Sequence, residues 1–310
     1  MQALLETIAT MPMPEDAERI FHGRGGLYPG SADWTLDWFA PVWVTTKFGS
    51  AHADEIHHLD QALRARWTVL APGQPLNWVL QQRQPDGPGS APVTQCMAGE
   101  VPQPHVVNEG GARIGVQLLK GQNHGLFLDM AEGRRWVREN ARGARVLNLF
   151  AYTCAFSVAA LQGGAALVVN LDMAAGAMAT GQHNHRLNFA GSPAEGRARF
   201  LVHDLFKSWG KVARMGPYDL VIMDPPSHQK GSFVATKDYP RLLRRLPELL
   251  LPGGQALLCL NAPEIPEHFL HEQLAIEAPS LVVEQRLPNP PAFADTSSDR
   301  ALKVLVVRKP

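Results

Sequence analysis

Cysteine is scarce in this chain: Cys96, Cys154 and Cys259 are the three among 310 residues, odd in number and widely spaced. That usage excludes a disulfide framework and a CxxC metal knuckle, and the expected compartment is a reducing cytoplasm. Long hydrophobic runs are also missing. The chain opens on a short amphipathic stretch, Leu4 to Thr10, with no basic segment before it, so neither a signal peptide nor a membrane span is expected. Net charge is absent too, 29 Lys and Arg balancing 29 Asp and Glu. A mild acidic excess over residues 1–105 is offset by the remainder. This balance argues against a protein that coats duplex DNA through many phosphates, and it leaves room for nucleic acid at a local patch. There is no internal repeat, no low-complexity tract and no GxGxxG fingerprint.

What is present is a strand running into a tight loop. In RVLNLFAYTCAF, Arg145 to Phe156, an apolar run reading as a buried strand breaks into small and polar residues, and a helix pattern follows from Ser157 to Gln162. In an open α/β sheet, a nucleotide-like ligand settles at such a place, because backbone N–H groups and a crevice meet at the strand's carboxyl end. Roughly 20 residues on, the apolar run Leu167 to Leu171 ends in Asp172, the spacing at which an acid reaches ribose hydroxyls. The pair points to an adenosine-containing cofactor. An amphipathic helix (Ala174 to Phe189), FLVHD ending in Asp204, and YDLVIMDPPS ending in Ser227 come next, so three successive apolar runs each close on an aspartate.

The first 105 residues read differently, as a small α+β domain. His22 to Ser31 is punctuated by Gly and Pro and reads as loop, with Arg24 either an anion-binding nest or a surface turn. Trp34 to Phe48 is aromatic and β-branched strand material interrupted at Pro41. Trp34, Trp38 and Trp43 suit a small core better than a base-stacking stripe. Ala53 to Trp67 is a helix pattern, and Asn77 to Gln84 a strand. Asp54 and His58 share a helix face without two further ligands nearby, so a solvated face is expected there and no metal.

The order of these parts resembles the class I S-adenosylmethionine-dependent methyltransferases. GLFLD (Gly125 to Asp129), NLFAYT (Asn148 to Thr153) and DPPS (Asp224 to Ser227) together are similar to the bacterial large-subunit ribosomal RNA methyltransferases that make 5-methylcytosine or 7-methylguanosine. The resemblance covers about two thirds of the chain, from Val106 on. It implies a Rossmann-like α/β sheet of about seven strands, the last antiparallel, over residues 106–310. Residues 1–105 then form the smaller α+β domain, a candidate for contacting RNA. The implied cofactor is S-adenosyl-L-methionine. The matching positions imply that Asn148, Phe150, Ala151, Tyr152, Thr153 and Phe156 wrap its methionine end. Asp172, with Met173, would serve the ribose, and Asp204, with Leu205, the adenine edge. Phe127, Asp129 and Arg134 would lie alongside. A ribose diol presents O–H donors to a carboxylate, and the adenine amino group presents N–H to another. Asp172 and Asp204 each precede a helix pattern, so a capping role competes with binding.

Asp224, Pro225, Pro226 and Ser227 are the expected catalytic segment. Methyl transfer is an in-line displacement whose main demand is alignment, and two prolines stiffen the backbone beside the acceptor. Ser227 stands where amine methylases commonly carry an aromatic residue, which leaves base stacking to His228, Phe233 or Tyr239. Attack at cytosine C5 needs a thiolate nucleophile. The family's cysteine position falls near Asn261 here, with Cys259 two residues deeper, a departure that favours N-methylation. Ser280 to Leu287 and Ala301 to Lys309 read as a closing antiparallel pair around a Pro-rich loop, Pro288 to Asp299, that could border the substrate cleft. Lys230, Lys237, Arg241, Arg244 and Arg245 suit either phosphate contact or a solvated face. The expected protein is an enzyme acting on RNA, with ribosomal RNA favoured, and without membrane contact. Two other readings remain open: a small-molecule methyltransferase, and a non-catalytic, cofactor-binding RNA-interaction protein. The separate N-terminal RNA-binding domain usual in the family is not recognisable in the sequence.

Overall fold

The computed structural model describes residues 1–229 and 233–310. Lys230, one of the five candidate phosphate contacts, lies outside them. The chain divides into two compact units: Met1–Asp129 with Pro290–Ser297, and Met130–Asn289 with Ser298–Pro310.

In the first unit, α1 (Gln2–Thr10) and α2 (Ala53–Leu70) accompany a five-stranded sheet ordered β1 (Glu18–His22), β2 (Trp34–Phe39), β3 (Val42–Phe48), β4 (Asn77–Arg83) and β5 (Val93–Ala98). Strand material broken at Pro41 becomes the β2–β3 hairpin, because proline cannot donate to the ladder and the chain turns there. The helix between β3 and β4 makes that pair parallel. Trp34, Trp38, Trp43, Trp67 and Trp78 join Leu4, Ile8, Leu59 and Leu63 in one core, so the aromatic stripe is interior packing. A separate hairpin, β6 (His105–Glu109) and β7 (Ala112–Val116), completes the unit's strands.

The second unit is built on a seven-stranded sheet, after α3 (Ala131–Asn140). Its strands in chain order are β8 (Arg145–Leu149), β9 (Leu167–Asp172), β10 (Ala198–Val202), β11 (Tyr218–Met223), β14 (Leu250–Leu260), β15 (Val282–Arg286) and β16 (Lys303–Arg308). The short pair β12 (His228–Gln229) and β13 (Phe233–Val234) lies outside it. Spatial order is β10-β9-β8-β11-β14-β16-β15. The first five run parallel, and β16 is antiparallel to both its neighbours. Parallel strands are buried on both faces, which is why they read as unbroken apolar runs. Leu147, Leu149, Val169, Val221, Met223, Leu258 and Leu305 supply their core.

The crossovers are made by α4 (Ala155–Gln162), α5 (Ala175–Phe189), α6 (Trp209–Met215), α7 (Ala235–Leu243) with α8 (Leu246–Leu249), and α9 (His268–Glu277). Chain order reverses between β8 and β11, and their carboxyl-end loops diverge to leave a crevice. Among the described residues no helix is long and apolar enough to cross a membrane, and no group of three His, Cys, Asp or Glu side chains is placed to hold a metal ion.

Each unit buries a neutral histidine. Burial pushes His124, in the first, and His185, in the second, from 6.5 down to about 4. The unfolded chain takes up protons below its own value while the folded chain resists, so their contribution is complete above about pH 6.5 and is lost as pH falls toward 4. The loss amounts to about 1.4 kcal/mol per pH unit for each. His185 stands edge-on to Phe200 with ring centroids 5.0 Å apart, which suits a phenyl replacement. Thermal unfolding followed from about pH 7 to about pH 5 should show a falling midpoint, and His185→Phe should flatten that slope.

Candidate active site

The loop after β8 is held in a costly conformation. Phe150, Tyr152 and Cys154 have φ of 57°, 48° and 61°, the left-handed region that non-glycine residues rarely occupy. Each such residue costs on the order of 1–3 kcal/mol. Specific bonds offset this. Tyr152 N donates to Asp172 Oδ2 at 2.8 Å, Ala151 N to the Leu171 carbonyl at 3.1 Å, and Cys154 N to the Ala151 carbonyl at 2.7 Å. Asn184 of α5 donates to the Thr153 carbonyl at 2.9 Å.

Asp172 ends β9 and its other oxygen, Oδ1, accepts from Ala174 N at 2.8 Å. Both the capping role and an outward-facing role are thereby compatible, since a carboxylate has about four acceptor sites and two are used. Met173 beside it is 53% exposed, a flat apolar neighbour for an aromatic ring. Asp204 caps the turn Leu205–Lys207, accepting from Phe206 N at 2.9 Å with Lys207 at 3.4 Å. Leu205 is buried in the core.

Asn148 sits beneath this loop. Its amide donates to Asn170 Oδ1 at 3.0 Å, and Asn170 donates in turn to Ser157 Oγ at 3.0 Å and the Arg199 carbonyl at 3.3 Å. This buried ladder joins β8, β9, α4 and the start of β10 under the loop, and satisfied buried networks of this kind rigidify what they support. Phe156 is buried, with the Arg134 guanidinium 5.9 Å from its ring. Ala151 and Thr153 are buried, and Phe150 and Tyr152 half-buried. Phe127 and Asp129 belong to the first unit, where Asp129 favours the charged form of Arg19.

Sequence reasoning missed the partners that make this loop possible. Asn170 interrupts an apolar strand and was legible as a buried polar residue. Gly181 was not. It faces Cys154, and a Cβ there would lie 2.5 Å from Cys154 Sγ. The glycine that a nucleotide-binding turn would carry at 154 is replaced by Cys, and the missing side chain at 181 makes the space. Burial, with Asp172 nearby, pushes the Cys154 thiol far up, so it behaves as a small apolar group.

Met223 of β11 pairs with Leu149 of β8, so Asp224-Pro225-Pro226 and the strained loop leave neighbouring strands at the same level, beside the switch point. The Ser227 hydroxyl donates to the carbonyl of Asn261, which follows β14. Cys259 lies within β14 opposite Val304, wholly buried. Two of the three proposed stacking residues are interior: Phe233 packs against Phe150 at 5.5 Å, and Tyr239 is fully buried with its hydroxyl on the Cys259 carbonyl at 3.1 Å. For His228 only the backbone, in β12, is described.

Three of the candidate phosphate contacts are engaged elsewhere. Arg241 pairs with Asp238 at 2.6 Å, Arg244 with Glu277 at 2.7 Å, and Arg245 with Glu248 at 2.9 Å. The Pro-rich segment 290–297 belongs to the first unit, where Thr296 N donates to the Gly25 carbonyl at 2.8 Å.

A sequence profile of S-adenosylmethionine-dependent methyltransferases matches residues 18–308. The chain belongs to that family. It is 32% identical over 249 residues to ribosomal RNA large subunit methyltransferase I of Aeromonas salmonicida, across 79% of this chain and 61% of the relative. The corresponding protein of Tolumonas auensis is 30% identical across 84% and 65%. The chain therefore spans less than two thirds of the length of these relatives. Among solved structures, SMU.776, assigned as a methyltransferase and crystallised with SAH, superposes with a TM-score of 0.79 at 25% identity, over 99% of this chain and 77% of that one.

Gly181→Ala should destabilise the protein by about 1–3 kcal/mol in denaturant unfolding, against the usual helix gain on replacing glycine. Adding Cys154→Gly should restore most of the loss. Equal stability of Gly181→Ala and the unmodified protein would show that the thiol does not occupy that space.

Proposed function

We propose that this protein transfers a methyl group from S-adenosylmethionine to a nitrogen of a base in large-subunit ribosomal RNA, acting in the cytoplasm. The observation that carries the reading is the clamp of Asp172 on the strained loop at the switch point, beside Asp224-Pro225-Pro226. When bound, the cofactor supplies an electrophilic methyl on a sulfonium.

The residues present fit that group. Asp172 keeps acceptor capacity for two ribose hydroxyls, Met173 offers an apolar surface for adenine, and the half-buried Phe150 and Tyr152 border the methionine end. Ala151, Thr153, Asn148 and Phe156 serve from behind, fixing the loop. Asp204, with Leu205 beneath it, faces the adenine amino group with the acceptor capacity its cap leaves over. Arg134 flanks the cofactor from α3.

Asp224 and the carbonyls stiffened by Pro225 and Pro226 orient the N–H groups of the acceptor base, and Ser227, tethered to the strand after β14, fixes the segment's exit. A nitrogen acceptor is favoured because the position of the family's nucleophilic cysteine falls near Asn261, and the Cys259 thiol is sealed inside its strand. The ribosomal substrate is supported by the names of the relatives.

Calorimetric titration with S-adenosylmethionine should give micromolar binding, and Asp172→Ala should weaken it on the order of a hundredfold, the loss of two bonds to a charged acceptor. Absence of binding by the folded, unmodified protein would sink the reading. Nucleotide mass mapping of ribosomal RNA from cells lacking the gene should then reveal one missing N-methylated base.

A further inference from the structure

Lys303 is buried whole at the start of β16, opposite Leu260, the last residue of β14. A buried ammonium is costly unless each of its three N–H groups finds an acceptor. All three do, and each acceptor is a backbone carbonyl: Ala262 at 2.7 Å, Ile265 at 2.7 Å and Asp299 at 2.5 Å. Burial lowers the ammonium from its ordinary 10.5, while Asp299, Glu264 and Glu267 act to keep it charged and Arg286 acts against it.

These bonds hold the chain between β14 and α9, NAPEIPE, Asn261 to Glu267. Pro263 and Pro266 lack the N–H that a sheet ladder or a helix interior would use, so the segment cannot carry β14 onward. It turns instead, Ile265 N donating to the Ala262 carbonyl at 3.1 Å. The ammonium takes the first and the last carbonyl of that turn. Its third bond reaches Asp299, whose carboxylate accepts from Glu267 N at 3.1 Å, and Arg286 joins Glu267 at 2.6 Å to the Ser298 carbonyl at 2.8 Å. Both ends of the segment are thus fixed to the stretch that leads into β16.

The same segment touches the candidate active site. Asn261, immediately before Ala262, gives its carbonyl to the Ser227 hydroxyl. The Cys259 carbonyl accepts from Tyr239 of α7 at 3.1 Å, and Tyr239 feels the charge of Asp224. The Ser227 carbonyl in turn accepts from Ala235 N, where α7 starts, at 3.1 Å. Met223, the residue before Asp224, lies level with Leu258 of β14. Carbonyls 259, 261, 262 and 265 are therefore held by side chains from α7, from the segment Asp224–Ser227 and from β16.

We propose that Lys303 is a positioning residue for methyl transfer: it fixes the turn after β14 and, through the Asn261 carbonyl, the Ser227 end of the Asp224–Ser227 segment. The inference rests on the reading of that segment as the one that orients the acceptor base. A compact ammonium with rotatable donors can gather carbonyls from three directions, which a planar guanidinium fork cannot. Alignment is the main demand of an in-line displacement, and a misplacement of about 1 Å can cost on the order of a hundredfold in rate. Because Lys303 and its turn act on the position of other groups, the loss falls on kcat.

The test uses Lys303→Met, which keeps an unbranched chain and removes the donors, Ser227→Ala, and the two combined. Methyl transfer from S-adenosylmethionine to deproteinised large-subunit ribosomal RNA from cells lacking the gene gives kcat and KM, with calorimetric cofactor binding and denaturant unfolding in parallel. Each single variant should lose kcat by about tenfold to a hundredfold, with KM and cofactor affinity held within about twofold. The double variant should fall little below the poorer single one, because both changes act through one tether. Losses that multiply, or a folded Lys303→Met with full kcat, would overturn the proposal and leave the methyltransferase reading intact. Should Lys303→Met fail to fold, Ala262→Gly, which loosens the same turn and leaves the ammonium in place, takes its part in the cycle. A kcat loss that Ser227→Ala absorbs is then the expected result, and a multiplying loss or none overturns the proposal. No transfer to the RNA by the unmodified protein, with cofactor bound, would overturn the RNA reading and the proposed role together.

Discussion

The second unit turns on the carboxylate of Asp172. One oxygen takes the N–H of Tyr152 and the other that of Ala174, so a single side chain joins the loop after β8 to the start of α5. Without that acceptor, three residues in left-handed conformations would have little to hold them, since bonds to a charged acceptor are about twice as strong as neutral ones. The buried ladder of Asn148, Asn170 and Ser157 supplies the floor, and the pairing of β8 with β11 brings the Asp224 segment alongside. A conformation that costs energy in isolation becomes the rest state because its surroundings over-determine it.

The same loop shows how a site tolerates substitution. Cys154 stands at a position with φ of 61°, where glycine would be free of strain, and its thiol fits only because Gly181 on the facing helix has no side chain. The two residues are 27 apart in the chain. Neither carries a visible signal alone, since a cysteine in a turn and a glycine in a helix each read as mild departures. Their complementarity is a property of the packed interior, where one extra methyl group is felt.

The first unit separates its chemistry by face. Tryptophan and leucine on one side of the sheet supply its core, and charged side chains on the other are balanced around Asp37. Because β3 and β4 run parallel through the α2 crossover, Phe48 and Arg83 end on one level, a juxtaposition that an antiparallel hairpin would not create. Two buried histidines here and in the second unit remain neutral for want of solvation, so each unit's stability is coupled to acid.

By itself the sequence determined the parts whose signal is local. Apolar runs closing on Asp172 and Asp224 marked parallel strands, the closing antiparallel pair was legible in Ser280–Leu287 and Ala301–Lys309, and Pro41 marked the end of a strand. These follow from backbone chemistry and from burial on both faces, which leave their trace in consecutive residues. Tertiary structure alone decided which polar groups meet. It turned Phe233 and Tyr239 inward, engaged Arg241, Arg244 and Arg245 with acids, assigned 290–297 to the first unit, and set Gly181 against Cys154 and Lys303 against three carbonyls. Such pairings depend on distances between residues far apart in the chain, which hydrophobic periodicity does not encode.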